Sequence, residues 1–313
     1  MGEFHIDGES LRPEDVLAIA HGQHTASLSE SSREAMVGSR SAIEQVLDSD
    51  DVVYGINTGF GPMAQYKIKD KDHIQLQYNL IRSHASGTGK IISPMYVRAS
   101  ILARLNSFML GYSGVHRSVI KLMIKLINNN ITPIIYEHGG VGASGDLVQL
   151  AHLALVLIGE GEVLYKGERQ LTQKVFEIEN IKPIPIKIRE GIALMNGTSV
   201  MSGIGIINTI YVRKLLNRVI LCSSAINELV RANIEHLSFE LNHTKKHIGQ
   251  QKAALRRNCP FFSWRARFWL IPSKAMKKSM CLHRRSEMTQ VIEIFQSPRC
   301  QNGLEFLSAL QQS

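Results

Sequence analysis

Gly139-Gly140-Val141-Gly142-Ala143-Ser144-Gly145-Asp146 is the stretch on which the reading of this chain turns. It follows the largely apolar residues 131–135. It precedes residues 146–158, which are apolar nearly all round and so predict a helix buried on every side. As a pattern, Gly140-x-Gly142-x-x-Gly145 matches a dinucleotide fingerprint, with Glu160 and Glu162 near the ribose-binding distance. That reading needs alternating strands and helices, which the flanking segments do not supply. A serine-hydrolase elbow fails, because Asp146 stands where that motif needs glycine. A plain alternative is a glycine-rich helix start capped by Ser144 or Asp146. A more specific chemistry is also open to these residues. The Gly145 nitrogen, free of a side chain, can approach and attack the Ala143 carbonyl. Loss of water from the ring and from Ser144 then leaves a methylene conjugated to a carbonyl, an electrophile that ordinary side chains cannot offer.

Outward from this loop the periodicity is helical. Residues 13–20, 32–47 and 71–83 are helical candidates. Residues 94–111 place Val97, Ile101, Leu102, Leu105, Phe108 and Met109 at helical spacing, and 119–127 continue the pattern until Asn128-Asn129-Asn130. Residues 162–172, centred on Lys166-Gly167, predict a small β-hairpin. Residues 198–232 predict one long apolar helix or a broken pair. The fold class is mainly α.

The 313 residues suffice for one large or two ordinary domains, and 44% hydrophobic with 20% charged residues describes a globular protein. The first residues are polar and of mixed charge, and no apolar run approaches the roughly 20 residues of a membrane-spanning helix. Four scattered cysteines without a CxxC pair indicate neither a disulfide framework nor a metal site. The expectation is therefore a cytoplasmic protein, with no membrane and no metal. The net charge of +9 is concentrated at one end: residues 247–313 hold 11 Lys/Arg against 3 Asp/Glu, leaving 25 against 24 in the rest. That tail mixes bulky and basic residues, as in Pro260-Phe261-Phe262-Ser263-Trp264-Arg265-Ala266-Arg267-Phe268-Trp269, with no clean period and no nucleic-acid motif. It reads as a truncated or frame-shifted replacement for the original C-terminal half, with a basic amphipathic segment at a surface as the plainer alternative.

The loop keeps distinctive company. Tyr54-Gly55-Ile56-Asn57-Thr58-Gly59-Phe60-Gly61, Leu76-Gln77-Tyr78-Asn79-Leu80-Ile81-Arg82-Ser83-His84, Arg104-Leu105-Asn106-Ser107, Gly114-Val115, the block 140–162 and Leu194-Met195-Asn196-Gly197-Thr198 occur in that order. On these motifs the sequence resembles the histidine/tyrosine type of aromatic amino acid ammonia-lyase and aminomutase, over residues 10–250. That family carries a 4-methylidene-imidazol-5-one (MIO) group. The resemblance implies a long-helix fold of the fumarase/aspartase kind. Its segments would be residues 1–195 bearing the MIO, 196–250 opening a central bundle, and 251–313 a divergent basic tail that leaves the C-terminal helical core incomplete.

The roles that follow are implied by the resemblance. MIO would form autocatalytically from Ala143-Ser144-Gly145. The substrate amine, or by an older proposal its ring, adds to it, a base removes a β-proton, and ammonia leaves to give urocanate from histidine or p-coumarate from tyrosine. Tyr54 matches the catalytic tyrosine; a phenol serves as base only where its surroundings stabilise the phenolate. His84 matches the position beside the substrate ring, and Asn196 the residue that steadies charge on the electrophile's carbonyl oxygen. Gly61 and Leu147 fall among the substrate-binding positions. Ser83-His84 looks like the histidine type. Gly61-Pro62-Met63-Ala64-Gln65-Tyr66 and Leu147-Val148-Gln149 look like tyrosine-using relatives. The partner is a small-molecule amino acid, not a nucleic acid, and the family is homotetrameric. The family's Tyr-Ser-Leu-Arg-Cys motif, whose arginine clamps the substrate carboxylate, has no match: Ser297-Pro298-Arg299-Cys300 follows Gln296, and the role is not carried over. The expectation is a chain inactive or poorly folded as it stands. The competing readings are a dinucleotide-binding protein, and a non-catalytic interaction fragment that uses the basic tail.

Overall fold

A computed structural model describes residues 2–47, 53–61 and 72–257. The chain opens with strand β1 (Gly2–Ile6), helix α1 (Pro13–Ala20) and strand β2 (His24–Leu28), and β2 returns parallel to β1. Pro13 and the acidic Glu14 and Asp15 suit the first turn of α1, where N–H groups lack partners and the helix end is positive. Helices α2 (Glu30–Leu47), α3 (His73–His84), α4 (Pro94–Met109) and α5 (Arg117–Asn128) follow, with strand β3 (Thr88–Ile91) between α3 and α4. In α4 the apolar positions predicted from spacing are all buried, and α5 buries Val119, Ile120, Leu122, Met123, Leu126 and Ile127 on one face. Burying each such side chain contributes roughly 1.5–3 kcal/mol before chain entropy is set against it.

Strands β4 (Thr132–Pro133) and β5 (Tyr136–His138) lead to helix α6 (Leu147–Leu157), and β6 (Glu162–Tyr165) with β7 (Glu168–Leu171) forms the expected hairpin. Lys166 and Gly167 both have positive φ (51° and 86°), the conformation a two-residue turn needs to match strand twist. β4 adds to β6 antiparallel, and β5 pairs antiparallel with β3. Helices α7 (Thr172–Ile178), α8 (Glu190–Met195) and α9 (Ser199–Leu229) complete this part. The compact unit runs from Met1 to Ile210, and a second begins at Tyr211. The packing thus divides inside α9, later than the boundary after residue 195 that the sequence predicts. The second unit holds the rest of α9, a short 3-10 helix (Ile234–Leu237), α10 (Phe239–His243) and α11 (Ile248–Arg257). Within it Val212, Leu216, Val219, Leu221 and Ile226 of α9 stand more than half exposed. The basic segment 258–313, with both tryptophans, lies outside the described residues.

Two side chains of α3 fix it to α8 and the segment leading into it, and a third ties it to the end of α6. Gln77 is buried and its Oε1 accepts the Gly191 N–H at 3.0 Å, while the Tyr78 hydroxyl accepts the Ile186 N–H at 3.2 Å. Arg82 forms a two-pronged ion pair with Glu160, just past α6. Among the described residues no helix is long and apolar enough to cross a membrane. Gln77→Ala orphans the Gly191 N–H. It is expected to lower the unfolding free energy by about 1–3 kcal/mol, read from denaturant midpoints at unchanged slope.

Candidate active site

Strand β5 delivers the chain into the glycine loop. Gly139, Gly142 and Gly145 take positive φ (124°, 75° and 87°), so the loop turns where residues with side chains would be strained. At Gly145 there is no room for one: an added Cβ would stand 2.1 Å from the Gly197 carbonyl oxygen. Gly145 and Gly197 lie side by side as an isolated parallel bridge, and the Asp146 N–H donates to Gly197 O at 2.8 Å. The Asp146 carboxylate reaches further. Its Oδ2 accepts the N–H groups of Val200 (2.8 Å) and Met201 (2.9 Å), two of the unpaired donors in the first turn of α9. A negative charge at this positive helix end is favourable. Asp146 therefore caps α9 and gives no side-chain cap to α6, the helix it precedes, which corrects the plain reading of the loop as a self-capped helix start. Ala143 and Ser144 face outward, exposed.

Behind this clasp sits Arg104 of α4, 6% exposed. It donates to the Ala193 carbonyl, and a Cβ on Gly197 would meet its Nη1 at 2.4 Å. Burial lowers the guanidinium to about 10, partly offset by the Asp146 carboxylate, so Arg104 stays charged at neutral pH. Its charge also lies 4.8 Å over the Phe108 ring. A cavity of about 380 Å³, lined by Arg104, Asn106, Thr198 and Ser199, adjoins the clasp.

Asn196 closes α8 at its C-terminus, its N–H bonded to Ile192 O at 3.0 Å. Its half-buried side chain makes no hydrogen bond among the described residues. The other end of α8 is anchored by Glu190, 1% exposed, which accepts the N–H of His116 (2.8 Å) and of Lys187 (2.7 Å). Burial raises this carboxyl above the usual range, against the pull of those two donors.

The Tyr54 loop is built on its own polar groups. Val53 N–H donates to Asn57 Oδ1 (2.9 Å) and Gly55 N–H to Thr58 Oγ1 (3.2 Å), with Asn57 and Thr58 buried. Tyr54 stands 51% exposed, its hydroxyl 3.4 Å from the Gly61 N–H and its ring edge-on to Phe60. A Cβ on Gly55 would lie 3.4 Å from Ile192, so this loop rests on the helix that ends at Asn196. The motif beyond Gly61, Pro62 to Tyr66, lies outside the described residues. His84 ends α3 with Nδ1 2.9 Å from Leu80 O and 3.1 Å from Ser83 Oγ. Leu147 begins α6, half-buried.

The structure thus joins Gly145 directly to the Asn196-Gly197 turn, and brings the Tyr54–Gly61 loop onto α8. His84 joins through the turn that follows it, because Gly87 packs on Gly139. No hydrogen bond links Tyr54 or His84 to Ala143-Ser144 among the described residues. Sequence reasoning quoted Arg104 and Gln77 within its motifs without giving them a role, and missed Glu190; these three hold the loops. For Arg104 the available signal was a charge inside an apolar helical pattern; Glu190, among Lys187, Arg189 and Gly191, carried none. The dinucleotide reading fails here. β5 is three residues long and pairs antiparallel with β3, and the strand after α6 is antiparallel to both neighbours, so no parallel strand–helix–strand unit surrounds the glycines. No group of three or more potential metal ligands occurs among the described residues.

Comparison with known proteins places these observations in company. The family model for aromatic amino acid lyases matches residues 11–258. A probable histidine ammonia-lyase of Halobacterium salinarum is 36% identical over 249 residues, 80% of this chain and 47% of that protein. The crystal structure of tyrosine aminomutase from Streptomyces globisporus aligns with a TM-score of 0.77 at 32% identity, covering 82% of this chain and 48% of that one. Histidine ammonia-lyase from Trypanosoma cruzi aligns with a TM-score of 0.76 at 30% identity, covering 82% and 50%. The chain spans about half the length of the curated relatives it matches.

Asp146→Ala removes two charge-assisted hydrogen bonds from the first turn of α9. A loss of about 1–2 kcal/mol in unfolding free energy is expected, with Asp146→Asn between it and the parent. Equal stability of all three proteins in urea would show that α9 does not depend on this cap.

Proposed function

This chain belongs to the aromatic amino acid lyase family, and from that premise we propose that it carries the electrophile-forming part of an ammonia-lyase acting on L-histidine, with L-tyrosine as the nearest alternative. The observation that carries the proposal is the clasp of Gly145-Asp146 on Gly197 and the start of α9. It fixes the Ala143-Ser144-Gly145 tripeptide at its Gly145 end while leaving Ala143 and Ser144 open to solvent.

The residues fit an MIO group. Position 145 admits no side chain, and positive φ at Gly142 and Gly145 lets the backbone fold back on itself around Ala143-Ser144. When formed, the group supplies an electrophilic carbon that the side chains of this chain do not. The remaining work belongs to ordinary residues. Tyr54, raised on a loop braced from within by Asn57 and Thr58, is the base that takes the substrate β-proton as the C–N bond breaks and ammonia leaves. Asn196, with its side-chain amide uncommitted, is free to donate to the carbonyl oxygen of the cyclised loop and to hold charge there. His84 lies against the substrate ring, with Leu147 and Gly61 bounding the same space. The relatives named histidine ammonia-lyases support histidine as the substrate.

Two measurements test this. The peptide spanning residues 139–146 of the purified chain is expected to weigh two waters less than its sequence, a deficit that Ser144→Ala abolishes. A full-mass peptide in the parent would leave the tripeptide chemically idle. Where the deficit is present, Tyr54→Phe is expected to keep it while lowering elimination from histidine by about 10²–10⁴-fold, as loss of a general base does.

A further inference from the structure

His152 stands on α6, one and a half turns beyond the electrophile loop, and is not among the residues assigned above. Its Nε2 accepts the backbone N–H of Gly87 at 3.1 Å. Gly87 belongs to the three-residue turn, Ala85-Ser86-Gly87, that carries the chain out of α3 immediately after His84. The other side of the imidazole meets Tyr136 of β5, ring centroids 5.3 Å apart and edge to face. β5 is the strand that enters the glycine loop. One ring therefore touches the segment behind His84 and the strand entering the loop, and stands on the helix leaving it. Glycines make this closeness achievable. A Cβ on Gly87 would stand 2.9 Å from His152 Nε2, and one on Gly139 would stand 3.4 Å from Gly87 Cα and 2.8 Å from Val148.

We propose that His152 is a positioning residue: its neutral imidazole grips the Ala85–Gly87 turn and so sets His84 at a fixed place beside the electrophile loop. This rests on the reading of His84 as the residue beside the substrate ring. An imidazole that accepts at Nε2 carries its single proton on Nδ1, and a second proton on Nε2 would turn the acceptor into a donor facing another donor. Burial already favours the neutral ring, holding its pKa below the ordinary histidine value. The neighbouring titratable groups are otherwise engaged. The Tyr136 hydroxyl accepts from Arg169 of β7, Glu160 is taken by Arg82 of α3, His84 turns its Nδ1 to Leu80 O, and His138 of β5 packs over Gly89 of β3. The sign follows: the folded protein binds its proton on His152 less readily than the unfolded chain. The grip is complete above the ordinary histidine value and is lost as pH falls through the lower folded value.

The test is hydrogen exchange on the full chain, followed at the Gly87 amide between pH 5 and pH 8 after correction for intrinsic exchange. Protection of Gly87 is expected to fall about tenfold on acidification, in step with the His152 titration seen by NMR. His152→Phe, which keeps a ring but no acceptor, is expected to lose that protection at every pH. His152→Gln, whose amide oxygen can replace Nε2, is expected to keep it without pH dependence. Amides of α4 serve as the folding control. Gly87 protection equal in His152→Phe and the parent, with α4 protected in both, overturns the grip. The consequence for His84 is read by titrating urocanate: about tenfold weaker binding to His152→Phe, restored in His152→Gln, is expected. Lost Gly87 protection with unchanged urocanate affinity overturns the positioning of His84. Should the unaltered chain fail to bind urocanate while Gly87 protection behaves as expected, it is the histidine reading of the site that falls, and the grip stands.

Discussion

The Asp146 carboxylate on the first turn of α9 is the constraint from which the rest of the site takes its position. A helix of 31 residues begins with N–H groups that nothing in its own ladder can satisfy, and one carboxylate oxygen answers two of them. The same residue gives its backbone N–H to Gly197, so the glycine loop and the Asn196 turn are locked by side chain and main chain together. The facing glycines at 145 and 197 follow from that closeness, since a side chain at 145 would force the two strands of the clasp apart and one at 197 would strike the Arg104 guanidinium. Arg104 is buried behind them as the compensating charge, and its own burial is tolerable because Asp146 is near.

Around this clasp, each loop of the site is held by polar groups that reach across elements. Gln77 ties α3 to the start of α8, Glu190 ties α8 to the segment before α5, and Arg82 ties α3 to the end of α6. The Gln77 and Glu190 contacts are hydrogen bonds from backbone groups to buried side chains, which cost more to break than they contribute when made, because the orphaned partner stays dry. The Arg82 pair is an exposed ion pair of smaller weight. The result is a scaffold in which loops without regular structure are nevertheless defined in place. That is the condition a site needs if its reacting groups are to meet in one geometry.

Much of the helical frame was legible in the sequence, for a physical reason: residues 117–128 bury one face and so print their period, and residues 94–109 carry their large apolar side chains at helical spacing. The hairpin around Lys166-Gly167 was legible because a two-residue turn needs residues that tolerate positive φ. The pairings of β1 with β2 and β3 with β5 were not, since strands of three to five residues carry little pattern and their partners are distant. Helix α8 is too short to show a period. The candidate residues Tyr54, His84, Asn196 and the Ala143 tripeptide were found by their motifs. What the motifs did not tell was how they are held. Asp146 lies 54 residues from the amide it caps, and the spacing between a carboxylate and a remote helix end leaves no local trace.

The clasp also has a place in time. Every group in it, from Arg104 to Met201, leaves the ribosome ahead of the exposed apolar half of α9. A growing chain can therefore close the loop on Gly197 when only the first turns of α9 have emerged. Its outward-facing apolar side chains reach solvent only afterwards, when the turn that carries Ser144 is already set.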